Sequence, residues 1–544
     1  MAAWIRIRLG RSVGVLLALA LSGYAPAADM IRPLPTIRES GAEVEPSPAP
    51  QPAFGNALTI VRMSDAPANS GAAGTVFRAA AAAPPAQIET PPWLRPVKSS
   101  NSEARDSTAN DDSDAKKSAD NNTDAAPAKE KQPDVPPWFS AHFQGTIIDQ
   151  RVIPFRSPYS GPLSLMPVQP GAMTETATMY FDVRPWRGGE IVFNAETEGG
   201  TGLSASAGLG GLTNGEAVRT SILEPTIYIA RYFYRQTWGL GGEWEKVEDG
   251  PNQLAGPRDI DRITFTIGKF AATDVFDQNS YSHDPRTQFE NWSFMYNGAW
   301  DFPANTRGYS DGATLEINTV WWAARWGIFE EPTAPNGPDL EDNFFKANGQ
   351  IWELEQHWNR DVRPGAIREW FYMNLANMGS YAEALARMPV NPNVVATESS
   401  RIKYGFGGNL EQQLTNNLGC FVKWGWSDGH TETWAFTAVD RTAAAGFLLK
   451  GGRWDRPNDT VGLAGAINGL AQVHRAYLAA GGLDFSIGDG KLNYAPEEIL
   501  EAFYNVQIAK GINFTSDIQA INNPAYNADR GPVFVWGIRI HFEH

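Results

Sequence analysis

The stretch VFVWGIRIHFE, residues 533–543, decides the fold of this 544-residue chain. Its large apolar side chains occupy alternate positions: Phe534, Trp536, Ile538, Ile540 and Phe542. Ionisable side chains occupy positions between them, at Arg539, His541 and Glu543. Because successive side chains of a β-strand point to opposite faces, one face of this strand is apolar and the other is polar. The same alternation recurs in residues 177–184 and 263–268.

Alternation of this kind fits a soluble β-sandwich as well as a membrane barrel. Three features favour the barrel. The predicted strands run to about ten residues or more, the length of a tilted membrane strand. An Arg facing lipid at mid-bilayer would cost roughly 2–4 kcal/mol, so polar faces with Arg or Asp in mid-strand must line an aqueous lumen. Aromatic residues cluster near predicted strand ends, as interfacial girdles do; they include Tyr232, Phe233, Tyr234, Trp321, Trp322, Trp424 and Trp426.

The segments between turn signals predict an all-β protein, a transmembrane antiparallel β-barrel of about 16 strands, within a range of roughly 16–18. The barrel is expected to occupy residues 138–544. Thr287 and Thr431 are among the predicted strand starts. A barrel of this size leaves an aqueous channel.

The N-terminal part of the chain has a different composition. Residues 1–27 combine three Arg, a short apolar run and an Ala25-Pro26-Ala27 cleavage pattern, which predicts a secretory signal peptide. The alternative, a transmembrane anchor, is disfavoured because the apolar run is about half the length needed. Residues 28–137 are rich in Ala, Pro, Ser and Asp, which predicts a disordered periplasmic segment, either a bland linker or a tether.

Composition excludes several classes of function. The formal net charge of −16 argues against nucleic acid as a partner, because phosphate binding needs a basic surface. The single cysteine, Cys420, excludes an internal disulfide and a cysteine-based metal site. No metal site, no cofactor and no catalytic residues are predicted. Two segments match G-x-S-x-G, residues 308–312 and 425–429, but each precedes β-alternation, so hairpin turns are favoured over nucleophile elbows. The glycine-rich residues 208–215 lack a phosphate-loop lysine and are interpreted as a flexible loop.

Two long motifs resemble one protein family. The first is the ending NPAYN (523–527), then RGPV (530–533) and the last strand; the second runs from GKF (268–270) through DPRTQFEN (284–291) to PANTRGY (303–309). Together they are similar to the carbohydrate-selective porins of the OprB family, over essentially all of residues 138–544. The resemblance implies a sixteen-stranded outer-membrane barrel that passes sugars passively down their gradient.

A sugar-selective pore needs aromatic surfaces for the C–H faces of a sugar and polar groups that exchange for its water. Residues 270–291 hold both kinds of group, and we expect this segment to fold inward and narrow the lumen. Arg286 is the predicted main donor to hydroxyls, held by Asp284 or Asp277. The other candidates in this segment are Phe276, Asn279, Tyr281, Gln288 and Asn291. The candidate charges on the barrel wall are Asp182, Arg184, Arg307, Glu316 and Arg539.

The predicted protein is therefore a channel and not an enzyme, in the bacterial outer membrane. Its expected partners are outer-membrane lipid, sugar solutes and the barrel assembly machinery during insertion, and the sequence allows association into homo-oligomers. Two alternatives stay open at this point. One is a secreted β-rich glycan-binding protein or glycosidase, which would also be acidic and rich in Trp. The other is an outer-membrane conduit that serves an export system.

Overall fold

A computed structural model describes residues 137–217, 222–360 and 362–544. Within them, sixteen strands form one closed antiparallel barrel, so the predicted fold is confirmed. The barrel strands are β1 (Phe139–Ile153), β2 (Ala172–Trp186), β3 (Gly189–Gly200), β4 (Ile222–Gly239), β7 (Arg262–Phe270), β8 (Ser310–Asn318), β9 (Trp322–Glu330), β10 (Asn348–Trp358), β11 (Gly365–Ala376), β12 (Arg401–Gln413), β13 (Leu418–Ser427), β14 (Arg441–Gly451), β15 (Arg456–Gly469), β16 (Glu497–Ala509), β17 (Ile512–Asn522) and β18 (Val533–Glu543). The predicted signal peptide and, apart from Pro137, the predicted disordered segment lie outside the described residues.

The barrel strands follow one another around the wall in chain order, and β1 closes the barrel by pairing with β18. Two further strands, β5 (Trp244–Val247) and β6 (Gly256–Asp259), form a separate small sheet. Connections at one end of the barrel are mostly short, such as residues 187–188 and 510–511. We call this end, where β1 begins and β18 finishes, the turn end. The opposite end, with connections such as residues 271–309 and 470–496, is the loop end.

Helices occur only in connections within the described part of the chain. They are α1 (Trp292–Met295), α2 (Tyr381–Arg387) and α3 (Gln472–Ala479), together with single 3₁₀ turns at Leu203–Ala205, Ala272–Asp274, Val395–Thr397, Gly452–Trp454 and Pro524–Tyr526. No helix of the described residues has the length and apolarity to cross a membrane.

The two faces of the strands are arranged as the alternation predicts. Phe534 and Trp536 are 46% and 48% exposed on the outer surface, whereas Arg539 is fully buried inside the barrel. On β2, Met179 and Phe181 face outward, and Asp182 faces inward. The outer surface of the barrel is therefore apolar, and the ionisable side chains of these strands lie in the bore. Aromatic residues mark the turn end, where Trp321 is 67% exposed, but Phe233, predicted with the girdle, is buried inside.

Several local predictions were wrong. Thr287 and Thr431 do not begin strands: they lie in the loop-end connections 271–309 and 428–440, and strand β9 was missed. Neither G-x-S-x-G segment is a hairpin turn, because Ser310 begins β8 and Ser427 is the last residue of β13. Period-two alternation over a few residues also occurs in packed loops, so it does not by itself distinguish a loop segment from a strand.

Two loop-end connections fold into the bore. One is residues 201–221, of which 201–217 are described; we call it the glycine-rich loop. Its Gly210 and Gly211 are buried, and their N–H groups donate to the two oxygens of Glu497 at 3.0 and 2.8 Å. The expectation of a flexible loop at residues 208–215 is therefore wrong, because glycine here permits close packing against the wall; a Cβ on Gly210 would meet the ring of Tyr526. The other connection, residues 271–309, we call the inner loop.

Ionisable side chains of the barrel wall hold the inner loop. Arg539 Nη1 donates to the carbonyl oxygens of Pro285 and Gln288 at 2.7 and 2.9 Å. The N–H groups of Glu290 and Asn291 donate to Glu501 at 2.6 and 3.0 Å. Backbone groups buried in a loop have no strand partner, so they need side-chain partners of this kind. The predicted inward fold of residues 270–291 is thus present, and Arg539 lies beneath the loop rather than beside the channel.

A buried histidine joins three connections at the loop end. His474 in α3 lies 2.9 Å from Asp440 Oδ2 through Nδ1 and 3.0 Å from Asp484 Oδ2 through Nε2. The ring of Tyr381 in α2 stacks on it at 4.3 Å, and the Tyr381 hydroxyl donates to Asp484. Burial alone would lower the pKa of His474, but Asp440 and Asp484 outweigh it and raise the pKa to about 9. His474 is therefore a cation at neutral pH.

Arg539→Ala should loosen the inner loop. The substitution removes two donors to loop carbonyls and leaves the Glu290 carboxylate, 3.4 Å from Arg539 Nη1, without its cation. Breaking a buried pair of this kind costs about 3–5 kcal/mol. We expect faster amide hydrogen exchange in residues 286–291, with exchange in β18 itself little changed. Arg539→Lys, which keeps the charge, should exchange at an intermediate rate; equal exchange in all three proteins would contradict the bracing role.

Raising the pH through 9 should weaken the packing of the loop-end connections. The pKa of His474 is raised from its ordinary value of about 6.5 to about 9. Its charge therefore stabilises the fold fully below pH 6.5, and this stabilisation is lost as the pH rises through about 9. The free energy of unfolding falls by roughly 3 kcal/mol over this range. Limited proteolysis of residues 377–400 and 470–496 should therefore accelerate between pH 7 and pH 10. His474→Gln, which cannot carry the charge, should be cut quickly at both pH values. If this variant keeps the wild-type pH dependence of cleavage, the charge of His474 is not the cause.

Candidate functional site

The bore contains a cavity of about 700 Å³ that runs from the inner loop to the turn end. Five of the predicted residues line it, namely Tyr281, Asp284, Arg286, Gln288 and Arg307. Arg539 and the other predicted residues lie elsewhere in the barrel. The cavity walls come from the inner loop, the glycine-rich loop and inward-facing residues of the strands.

Arg286 bridges the inner loop, the glycine-rich loop and the barrel wall. Its Nε donates to Glu216 at 2.8 Å, and its Nη2 donates to Glu196 on β3 at 3.2 Å. The Arg286 side chain is 13% exposed, and Arg286 lines the cavity. Burial would lower the pKa of Arg286, but Glu216 and Glu196 outweigh it and hold the pKa above its ordinary value. Arg286 is therefore a cation held in place by two carboxylates, on a side chain that lines the cavity.

The partners of Arg286 differ from the predicted ones. Asp284 accepts the backbone N–H of Arg286 at 2.9 Å and so shapes the turn, while the carboxylates that hold the guanidinium belong to Glu196 and Glu216. Asp277 is fully buried and accepts from the Asn409 side chain at 2.6 Å, where it ties the inner loop to β12. Pairing between residues this far apart in the chain leaves no signal in the sequence.

Residues that sequence reasoning missed complete the cluster around Arg286. Tyr309 donates to Glu196 at 3.0 Å, and the Tyr228 hydroxyl donates to the same carboxylate. Arg231 forms two bonds to Asp274, at 2.7 and 2.6 Å. We call the group Arg231, Asp274, Arg286, Arg307, Glu196 and Glu216 the arginine cluster. The alternation of β3 could have identified Glu196, which lies on its polar face. Tyr228 and Arg231 are three residues apart in β4, and both face the bore because the pairing with β3 shifts register between them, which alternation alone does not reveal.

Two guanidiniums of the arginine cluster also lie over aromatic rings. The Arg307 guanidinium carbon is 3.8 Å from the centroid of the Tyr228 ring, and that of Arg231 is 5.0 Å from the Tyr309 ring. Cation–π contacts of this kind fix the direction of the planar guanidinium. The arrangement leaves donors and acceptors side by side on a rigid surface of the cavity.

Aromatic side chains form a second part of the cavity wall. Trp292 stacks on Phe436 with ring centroids 5.3 Å apart, and Phe302 packs against Phe436 at 4.5 Å. Tyr296 packs against Phe302 at 5.5 Å. All four residues line the cavity, and we call them the aromatic shelf. Trp292 and Phe302 lie directly beside the motif segments 284–291 and 303–309, whereas Phe436 comes from a distant part of the chain.

The remaining predicted residues brace the structure. Phe276 packs in an aromatic core with Trp300 and Phe329. Asn279 donates to Asn409 at 3.3 Å, and Asn291 donates to Gln519 at 3.0 Å. These three side chains are at most 5% exposed, so they hold the inner loop in place.

The predicted wall charges at the strands pair with neighbouring strands or with the turn end. Glu316 on β8 accepts from Arg325 on β9, and Arg325 also donates to Glu353 and Glu355 on β10 at 2.8 and 2.6 Å. Arg184 donates to the carbonyl oxygen of Ala255 at 3.0 Å, in the turn-end connection 240–261. Asp182 is 1% exposed on the same inner face of β2. Through these partners Glu316 and Arg184 reinforce the wall outside the cavity.

Comparisons with known proteins agree with this geometry. The family model described as "Carbohydrate-selective porin, OprB family" matches residues 182–544. The high-pH structure of OprB from Pseudomonas putida aligns with a TM-score of 0.57 and 16% identity, covering 75% of this chain and 94% of that one. The outer membrane channel DcaP of Acinetobacter baumannii aligns with a TM-score of 0.42 and 8% identity, covering 75% of this chain and 97% of that one. A search of curated proteins found no match.

The family model covers well over half of the chain, and the first structural alignment supports the same fold. The barrel has the apolar outer surface and polar bore that an outer-membrane channel requires. The chain therefore belongs to the OprB family of carbohydrate-selective porins, and it forms an outer-membrane channel for the diffusion of sugars.

Proposed function

We propose that the arginine cluster and the aromatic shelf together form the site that selects sugars, at the narrow part of the channel. The observation that carries this proposal is the position of Arg286, paired with two carboxylates yet exposed at the surface of the cavity that the aromatic shelf also lines. A sugar presents hydroxyls at its rim and C–H groups on its faces. The arginine cluster offers charged donors and acceptors to the hydroxyls, and the aromatic shelf offers apolar rings to the C–H faces.

Mixed charge in the cluster favours uncharged solutes. Arg286 lies against Glu196 and Glu216, and Arg231 lies against Asp274. An ion of either sign would therefore meet repulsion as well as attraction, whereas a hydroxyl can donate to a carboxylate and accept from a guanidinium. Because the Arg286 donors already have partners, a sugar exchanges one set of hydrogen bonds for another, and binding stays weak. Weak binding is what conduction requires, since a tightly held solute would not leave.

The same pairing supports a channel without hydrolytic activity. Glycoside hydrolysis uses two carboxyl groups, one of which is protonated to act as the acid. In the arginine cluster Glu196 and Glu216 both accept from one guanidinium, so both serve as ion-pair partners. A secreted glycan-binding protein or glycosidase also fits poorly with an apolar outer surface that includes Phe534 and Trp536.

We further propose the orientation of the chain in the membrane. Outer-membrane barrels place short turns toward the periplasm and longer loops outside the cell. By this rule the turn end faces the periplasm, and residues 28–137 form a periplasmic segment after removal of a signal peptide at residues 1–27. Outer-membrane lipid surrounds the barrel, the barrel assembly machinery inserts it, and any homo-oligomer forms through the apolar outer surface.

Arg286→Ala should weaken sugar binding in the channel. A hydrogen bond to a charged group contributes about 1.5–3 kcal/mol, which corresponds to a roughly tenfold or larger change in affinity. We expect the concentration of maltose that half-blocks ion current in planar bilayers to rise by that factor, while single-channel conductance increases. Arg453→Ala, at an exposed arginine in the turn after β14, is the matched control and should behave like wild type.

The outcome that contradicts the proposal is specific. If Arg286→Ala keeps the heat-modifiable gel mobility of a folded barrel and its ion current is blocked by maltose as in wild type, Arg286 has no role in sugar selection. Incubation of the wild-type protein with maltose should release no glucose, and release above a boiled control would contradict the absence of hydrolysis.

A further inference from the structure

The turn-end connection between β4 and β7 is unlike its neighbours. The other connections at this end are tight turns, such as residues 187–188, 414–417 and 510–511, whereas this one spans residues 240–261 and holds the β5–β6 sheet. Trp244 pairs with Asp259 and Val247 with Gly256, so the segment is a hairpin with its tip at residues 248–255. We call it the turn-end hairpin. A connection of this length at the short-turn end of a barrel is not needed for closure of the wall.

The tip of the turn-end hairpin folds into the bore. Inward-facing side chains of three strands hold the tip. Arg184 on β2 donates to Leu254 O and Ala255 O at 3.3 and 3.0 Å, and Arg235 on β4 donates to Asn252 O at 2.7 Å. Asn194 on β3 donates to the side-chain oxygen of Asn252 at 2.8 Å. These strand residues face the lumen, so the segment that they bind lies inside the barrel.

The tip reaches the channel just below the arginine cluster. Pro251 and Asn252 line the same cavity as Arg286 and Glu196. Asn194, which bonds to Asn252, is two residues before Glu196 on β3, and the two lie on the same face. Two residues of a strand span about 7 Å. A solute that moves from the loop end past Glu196 therefore meets Asn252 about 7 Å further toward the turn end.

Two tight turns form the side of the cavity that faces the hairpin tip at the turn end. Thr415, Asn416 and Asn417, from the tight turn between β12 and β13, line the turn-end part of the cavity, as does Lys510 from the turn between β16 and β17. The turn-end hairpin thus occupies one side of the bore, and the exit runs between its tip and these turns.

The base of the turn-end hairpin is firmly attached. Glu245 accepts from Arg258 at 2.9 Å and from Arg262 at 3.4 Å. Asn318 on β8 donates to Ile260 O at 2.9 Å. The tip has a further anchor, because Asp249 lies 3.2 Å from His142 on β1. Anchors on several strands hold the hairpin as a fixed obstacle in the bore.

We propose that the turn-end hairpin forms a second constriction of the channel, on the turn-end side of the arginine cluster, and that its tip at Asn252 limits the size of solute that can leave. The inference depends on the proposed function only for the identity of the solute as a sugar. Its effect on ion current does not depend on sugar binding, so the two proposals can fail separately.

The first experiment shortens the tip. Residues Asp249–Ala255 are replaced by two glycines, which leaves β5 and β6 paired. We expect larger single-channel conductance and a shift of the size limit in liposome swelling toward larger members of the series glucose, maltose, maltotriose. A two-glycine insertion after Arg453, in a turn at the same end that lies outside the cavity wall, is the control and should change neither quantity. A folded, heat-modifiable shortened variant with wild-type conductance and size limit overturns the proposal.

The second experiment keeps the hairpin intact, in case the shortened barrel does not fold. Asn252→Cys is made in a Cys420→Ser background, so that the new thiol is the single one in the chain. Modification by a bulky, neutral methanethiosulfonate reagent in planar bilayers should cause a stepwise loss of conductance. The Cys420→Ser protein alone should show no loss. Complete modification, verified by mass, with unchanged current would remove the tip from the conduction path.

Discussion

The structure depends on one constraint, that a bilayer offers no hydrogen-bond partner to an unpaired backbone group. Closure of the barrel by β1 against β18 meets this constraint, because it leaves no strand edge in the wall. Closure also fixes which face of each strand meets lipid. In the β1–β18 pair, Ile147 opposes Ile540 on the outer surface, and Ile148 opposes Arg539 on the inside. The apolar outer surface and the charged bore are therefore two consequences of the same pairing.

The same requirement explains how the charges of the bore are used. The glycine-rich loop and the inner loop enter the lumen with backbone groups that no strand can pair. Glu497 binds two N–H groups of the first loop, and Glu501 and Arg539 bind backbone groups of the second. Lys423 contributes in the same way, through the carbonyl oxygens of Ser282 and Phe294. Most of these inward charges are structural, because a loop buried in a barrel requires as many polar partners as a strand does.

A smaller group of polar residues lines the cavity. Arg286 joins the two loops to β3 and also lines the cavity. This arrangement makes the narrow part of the channel rigid, because moving Arg286 would break ion pairs to Glu196 and Glu216. The turn-end hairpin is held in the same way at the other end of the barrel, because its backbone carbonyl oxygens accept from Arg184 and Arg235. A rigid channel selects by shape and hydrogen bonding, which suits neutral sugars that differ in size.

The sequence by itself determined the barrel and the outward and inward faces of strands such as β18. Period-two alternation in residues 533–543 carries that information locally, since the cost of placing Arg539 in lipid allows one orientation of the strand. Only the tertiary structure decided which charges touch the channel. Asp277 and Asp284 are both carboxylates, and Asn291 and Gln288 are both amides. Asp277 and Asn291 are nevertheless buried as braces, whereas Asp284 and Gln288 line the cavity. The partners of Arg286 and the reach of the turn-end hairpin were likewise invisible, because they depend on contacts between residues far apart in the chain. Alternation reports the face of a strand, whereas the path of a loop through the bore depends on where its backbone groups find partners.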